Sequence, residues 1–176
     1  MNREAMPMLS RTGLNRSAPS AVRADETGRT AWLLCRAGRL RIALPIETVV
    51  EIMRMLPLEP VTGAPKYVNG LSVIRGAPVP VVDVGLLVAG EITRPARLVA
   101  IRTGGRITAL AVDEVIGINA IAEDAFGRLP PLLQEAASDT ISAIGAVDSE
   151  LLICLQAGRL VPEDLLARLD AEGAAS

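Results

Sequence analysis

The sequence contains no histidine. Within this chain that excludes phosphohistidine relays, Ser-His-Asp triads, Cys-His nucleophiles and His-ligated zinc. Aromatic residues are reduced to Trp32, Tyr67 and Phe126, too few to build a base-stacking face. The two cysteines sit inside apolar runs, WLLC at Cys35 and LLICL at Cys154. Without C-x-x-C spacing they make neither a zinc site nor a disulfide framework, and they read as small buried hydrophobes. Basic charge is also short. Lys plus Arg number 18 against 20 acids, for a net charge of -2 and a pI near 5.3. With no basic stripe, nucleic acid is not an expected partner. No apolar run reaches the ~18 residues that a membrane span needs. The longest, from Ala77 to Ala89, carries Pro78, Pro80 and Asp83, so no direct membrane insertion is expected. The N-terminus lacks the apolar stretch of a secretory signal, and the expected location is the cytoplasm.

What remains is a chain of 176 residues, 50% hydrophobic, with a mean hydropathy of +0.37. That length fits one compact domain or two small fused lobes. Residues 1–29 stand apart. They are rich in Ser, Thr, Pro and Gly, carry Arg3, Arg11, Arg16, Arg23 and Arg29 against Glu4, Asp25 and Glu26, and show no sustained period. They read as a flexible tail, leaving residues 30–172 as the folded part.

From Thr30 the pattern is one of short strands. AWLLCRA and RLRIALP flank Gly38 as a hairpin. Pro45 suits the start of a short helix through IETVVEIM, with Glu47 near its positive end and Ile46, Val49, Val50 and Met53 on one face. Pro57, Pro60 and Pro65 then discourage regular structure. YVNGLSVI and APVPVVDV form a second strand pair, turning at Arg75-Gly76, and Pro78 and Pro80 restrict the second strand to an edge or a bulge. ARLVAIRT and RITALAV form a third hairpin about Gly104-Gly105. A short helix is predicted over 132–137. A last strand pair is hinged at Asp148-Ser149, and EDLLARLDAEG after Pro162 reads as a closing helix packed through Leu165, Leu166 and Leu169. Strands at this spacing indicate barrels or a sandwich. LLCRAGRLRIALPIETVVEI also lies over VAIRTGGRITALAVDEVIGI with one gap at the turn. That alignment matches Gly38 with Gly104, Arg39 with Arg106 and Glu47 with Glu114. It suggests two similar barrels joined near residues 90–95.

Candidate chemistry is thin. VVDVG at Val81 to Gly85 approaches the apolar-apolar-Asp-Thr/Ser-Gly pattern of retroviral-type aspartic proteases, whose paired carboxylates share a proton. Val84 replaces the hydroxyl residue that clasps such a dyad, so an aspartic hydrolase at Asp83 is a remote alternative. Asp113 and Glu114 are adjacent and diverge on a strand. Gly104-Gly105 lacks the Lys-Ser/Thr of a phosphate loop. No metal-ligand cluster and no cofactor motif is present, so no enzyme activity is expected.

The informative segment runs from Ala64 to Leu87. Arg75-Gly76 interrupts an otherwise apolar stretch, and Gly70 breaks a strand where a neighbour's backbone can come close. In order, Pro65, Tyr67, Val68, Gly70, Arg75-Gly76, Pro80, Val81, Val82, Asp83 and Val84 follow a block that resembles the CheW-like coupling proteins of bacterial chemotaxis. IETVVEI with Glu51, the strand bearing Val112-Asp113, and the closing pair IGAVDSELLICL are similar to further segments of that family. Three positions depart from its pattern: Val73 replaces Asn, Gly85 an Arg, and Gln156 an Asp.

The resemblance implies a mainly β fold of two SH3-like five-stranded barrels with a groove between them, short helices and a C-terminal helix. It implies a non-enzymatic adapter whose partners are the regulatory domain of the histidine kinase CheA and the cytoplasmic tip of a chemoreceptor. A related scaffold serving a different kinase or receptor class is the alternative. Carried over by position, the partner-binding residues are Val49, Glu51, Gly70, Arg75 and Gly76. Val50 and Ile52 extend an apolar wall, and Pro80, Asp83 and Asp113 are structural.

Overall fold

A computed structural model describes residues 28–127 and 140–173. The chain opens with strands β1 (Arg29–Ala37) and β2 (Leu40–Pro45), and a 3₁₀ turn (Ile46–Thr48) leads into β3 (Val49–Arg54). Next come β4 (Val68–Ile74), β5 (Ala77–Asp83) and helix α1 (Val84–Ala89). Strands β6 (Arg97–Thr103), β7 (Arg106–Val112), β8 (Glu114–Ala122) and the short β9 (Phe126–Gly127) come after them. The chain closes with β10 (Ile141–Val147), β11 (Glu150–Leu155), a 3₁₀ turn (Ala157–Arg159) and helix α2 (Glu163–Gly173). β1 therefore begins at Arg29, one residue inside the stretch read as tail. The helix predicted over 132–137 lies outside the described residues.

The strands form two sheets. One has six strands in the order β8-β1-β2-β11-β10-β9, and the other has five in the order β3-β6-β7-β5-β4. The expected five strands thus hold for the second sheet, while the two-residue β9 adds a sixth to the first. Both sheets share one pairing scheme. Leu34 pairs with Ala43 and Gly117, and Ala43 pairs with Cys154. In the other sheet Ala100 pairs with Ala109 and Glu51, and Ala109 pairs with Val81. Even the irregularities agree. The shift across Leu34/Cys35 on β1, facing β8, matches that across Val49/Glu51 on β3, and Val68/Gly70 matches Ile141/Ala143. The repeat is therefore structural, with its register corrected. The turn pairs are Ala37–Leu40 and Thr103–Arg106, so Leu40, not Arg39, is the counterpart of Arg106, and no gap is needed.

The join between the sheets also differs from expectation. Residues 90–95 connect α1 to β6, and β5 and β6 lie in the same sheet. The crossings fall instead at Ile46–Thr48 and at Asp113. After each hairpin the third strand passes to the other sheet, so β3 pairs with β6 and β8 pairs with β1. Hairpin signals report local pairing and say nothing about which sheet receives the next strand.

Alternation along the strands divides the apolar residues into three layers. Trp32 and Leu34 on β1 face the interior of the first sheet, where Trp32 stacks on Phe126 at 4.7 Å between centroids. Ile74, Val79, Val81 and Leu98 face the interior of the second. The largest layer lies between the sheets. Leu33, Ile42 and Leu44 meet Val82, Val99 and Leu110 there, and Leu160, Val161 and Leu165 cap the layer from the C-terminal end. The interval expected as a groove is thus mostly filled. At one rim a cavity of about 340 Å³ remains between the β6–β7 turn at Gly104 and the Leu160–Leu166 stretch. Strands buried on both faces read as continuous apolar runs, which explains WLLC and LLICL. Truncating Leu33 to Ala would cost ~2–5 kcal/mol.

Two local expectations are corrected. IETVVEIM is one 3₁₀ turn and then a strand, because the β-branched Val49, Val50 and Ile52 favour extended backbone. Those residues therefore alternate rather than share a helical face. Pro78 and Pro80 do not confine β5 to the sheet edge, since β5 lies between β7 and β4. They occupy the part of β5 that pairs with β4 alone, and β7 joins only from Val81 to Asp83. The missing N–H groups thus cost no ladder bonds to β7.

Cys35 faces the layer between the sheets and Cys154 the first sheet's interior. Burial pushes both thiols up to about 12 from an ordinary 9.0. Below the ordinary value both states are protonated. As pH climbs from there, only the unfolded chain ionises, so stability falls through that interval. We expect both thiols to resist a disulfide reagent at mildly alkaline pH and to label at the unfolding rate in urea. Rapid labelling of the native protein would contradict this placement.

Candidate partner-docking site

The β4–β5 turn places Arg75 at φ 53° and Gly76 at φ 81°. Both central residues are left-handed, as a tight hairpin turn of matching twist requires. Glycine adopts this freely, whereas for Arg75 it costs roughly 1 kcal/mol. The Arg75 side chain reaches Glu51 on β3. Nε lies 2.8 Å from Oε1, and Nη2 donates to Oε2 at 3.2 Å. β3 and β4 are the two outermost strands of their sheet, so this forked pair ties one edge to the other. A strap between them adds to the link. The Ser72 hydroxyl donates to the Pro57 carbonyl at 3.0 Å, and Glu59 and Leu71 exchange backbone hydrogen bonds of 2.8 Å.

The Arg75 side chain is 68% exposed and that of Glu51 28%. Such a pair contributes ~0–1 kcal/mol to the fold, so its main consequence is to hold a guanidinium in place on the surface. Val73, two residues before Arg75, is 69% exposed opposite Pro78. Ile52 is 45% exposed but projects from the face of β3 opposite to Glu51. The rim therefore offers a positioned cation with an uncovered valine on the same hairpin.

Of the five residues expected to bind partners, Glu51, Arg75 and Gly76 come together on this rim. Val49 does not join them, because it packs against the layer between the sheets. Gly70 is buried at φ 137°, and a Cβ there would overlap the Glu59 carbonyl of the strap. It admits backbone, not a partner. Val73 is an exposed apolar residue that VNGLSVI conceals, since an apolar side chain stands at an outward position of the β4 alternation.

The three residues read as structural sit at chain junctions. Asp83 ends β5 and caps α1, its Oδ1 accepting from the Leu86 N–H at 3.0 Å. Asp83 is buried and its carboxylate is engaged in this cap. Asp113 Oδ2 accepts from the Gly38 N–H at 2.7 Å, tying the β1–β2 turn to the crossing before β8. Pro80 is buried opposite Leu71. The departures at Gly85 and Gln156 are also explained. A Cβ on Gly85 would overlap Thr93 of the loop before β6. Gln156 takes the place in the first sheet that Asp83 holds in the second, but it leads into a three-residue turn with no side-chain cap, so a short carboxylate has nothing to cap. Among the described residues, no group of three or more His, Cys, Asp or Glu could hold a metal.

A mainly β module of two packed sheets with an exposed, forked ion pair on one rim is the class that fold and site define. Comparison with known proteins places it within that class. The model of the CheW-like domain family matches residues 31–164. Protein FrzA of Myxococcus xanthus is 32% identical over 112 residues, 62% of this chain and 69% of that protein. Chemotaxis protein CheW of Klebsiella aerogenes is 21% identical over 150 residues, covering 84% and 90%. The crystal structure of scaffolding protein TtCheW from Thermoanaerobacter tengcongensis superposes with a TM-score of 0.67 at 20% identity, over 75% of this chain and 92% of that one. The chain belongs to the CheW-like domain family, and it is a non-enzymatic scaffold of chemotaxis-type signalling. No helix among the described residues is long and apolar enough to cross a membrane.

The geometry separates rim from frame. We expect Gly70→Ala to lower stability by ~3 kcal/mol or more through strained φ and backbone overlap. Arg75→Ala should cost under ~1 kcal/mol. Urea denaturation of the two variants checks this, and a reversed order would place Arg75 in the frame and Gly70 outside it.

Proposed function

We propose that this chain couples chemoreceptors to the histidine kinase CheA, docking the kinase regulatory domain and the receptor's cytoplasmic tip without chemistry of its own. The observation that carries this reading is the Arg75–Glu51 rim. Two segments far apart in sequence, one bearing Glu51 and one bearing Arg75, form a single surface, and neither is consumed by the fold. A coupling protein also needs a second face. The structural repeat provides one, because β8 and β11 on the other sheet expose Ile116, Ile118 and Leu151. Two distinct uncovered surfaces on one frame suit a protein that fixes two partners relative to each other. The family membership and the names of its relatives support the same assignment.

Titration of the purified chain with a kinase regulatory domain, and separately with a receptor cytoplasmic fragment, tests the proposal. Binding to both is expected. Arg75→Ala should weaken at least one by ~tenfold or more, as for a desolvated interface arginine, with little change in melting temperature. Failure of the wild-type chain to bind either fragment would overturn the coupling role. Unchanged binding of Arg75→Ala would remove the rim from it.

A further inference from the structure

We propose that Arg54 and Arg97 form a second electrostatic dock, for a carboxylate-bearing amphipathic segment of a protein partner. The proposal rests on the adapter reading and names the chemistry of one contact. Arg54 ends β3 and Arg97 begins β6, and the strand register sets them directly opposite each other. Opposed residues on antiparallel strands project to the same face, where like charges repel and destabilise. Both arginines are exposed. Arg36, Arg41 and Arg75 each have a glutamate, but no carboxylate among the described residues pairs with Arg54 or Arg97. Among the described residues, the guanidinium of Arg97 donates to the adjacent Ala96 carbonyl, at 2.9 Å.

The fold does not need charge here. In the equivalent register of the other sheet the same two places are held by Ala120 and Ala31. A repelling pair kept where alanines suffice has its use outside the chain. Ile52 lies one step along β3 on the same face, opposite Val99, and its exposure adds an apolar contact beside the two cations. The patch therefore matches a segment that carries acidic groups next to a hydrophobic side chain. An anionic membrane suits it less, since the chain's net charge of -2 opposes adsorption.

The Arg54→Ala/Arg97→Ala double variant tests this, because it copies the alanines of the other sheet. Its melting temperature should match or exceed that of the wild type. Its affinity for the kinase regulatory domain or the receptor fragment should fall about tenfold at low salt, with the difference shrinking as salt rises. Unchanged affinity for both fragments would overturn the proposal while leaving the coupling role intact. A wild-type chain that binds neither fragment would overturn both. Binding lost together with a lowered melting temperature would make the pair structural. Wild-type flotation with phosphatidylserine vesicles, abolished in the variant, would make the occupant lipid and also overturn it.

Discussion

Leu33, Ile42 and Leu44 on one sheet press against Val82, Val99 and Leu110 on the other, and this dry layer sets the positions of everything else. Apolar burial at ~25 cal/mol per Å² is the only term large enough to hold two separate sheets as one body. The chain passes between the sheets at Ile46–Thr48 and at Asp113, so two short connections add to the packing. Asp113 and Asp83 act at the ends of this frame. One ties a hairpin turn to a crossing and the other starts the helix after β5. Each carboxylate accepts from one backbone N–H, that of Gly38 for Asp113 and that of Leu86 for Asp83.

The docking rim is a consequence of that frame. Arg75 reaches Glu51 on β3 from the β4–β5 turn, and the two left-handed residues of that turn present the guanidinium at the surface. The strain at Arg75 is tolerated within a hairpin anchored by the buried Ile74 and Val79. Gly70 serves the same arrangement from inside, by letting the Glu59–Pro60 backbone seal the edge beneath the rim. The residues that present the site and those that permit it are therefore close in sequence but different in kind.

Much of this is legible in the residues alone. The hairpins at Gly38, Arg75-Gly76, Gly104-Gly105 and Asp148-Ser149 come from turn chemistry, and the burial of both cysteines comes from their apolar neighbours. The Gly-to-Asp block points to the family. Less legible are the features set by long-range pairing. IETVVEIM carries apolar residues at spacings that fit a helix as well as a strand, and only pairing with β6 decides. β8 is hidden because Ile116 and Ile118 sit on an edge and face solvent, which dilutes the alternation. Gly70 and Arg75 look alike as partner contacts because nothing local distinguishes a glycine that admits backbone from one that admits a ligand.

By itself the sequence determined the absence of histidine chemistry, the count and turns of most hairpins, and the continuous apolar runs that mark strands buried on both faces. These depend on residue type and near neighbours alone. The tertiary structure decided which sheet each strand joins, that the expected groove is mostly core, and that Glu51 meets Arg75 while Arg54 meets Arg97 with no counter-charge among the described residues. Such facts depend on contacts between residues far apart in the chain, and no local pattern encodes where those residues will come to rest.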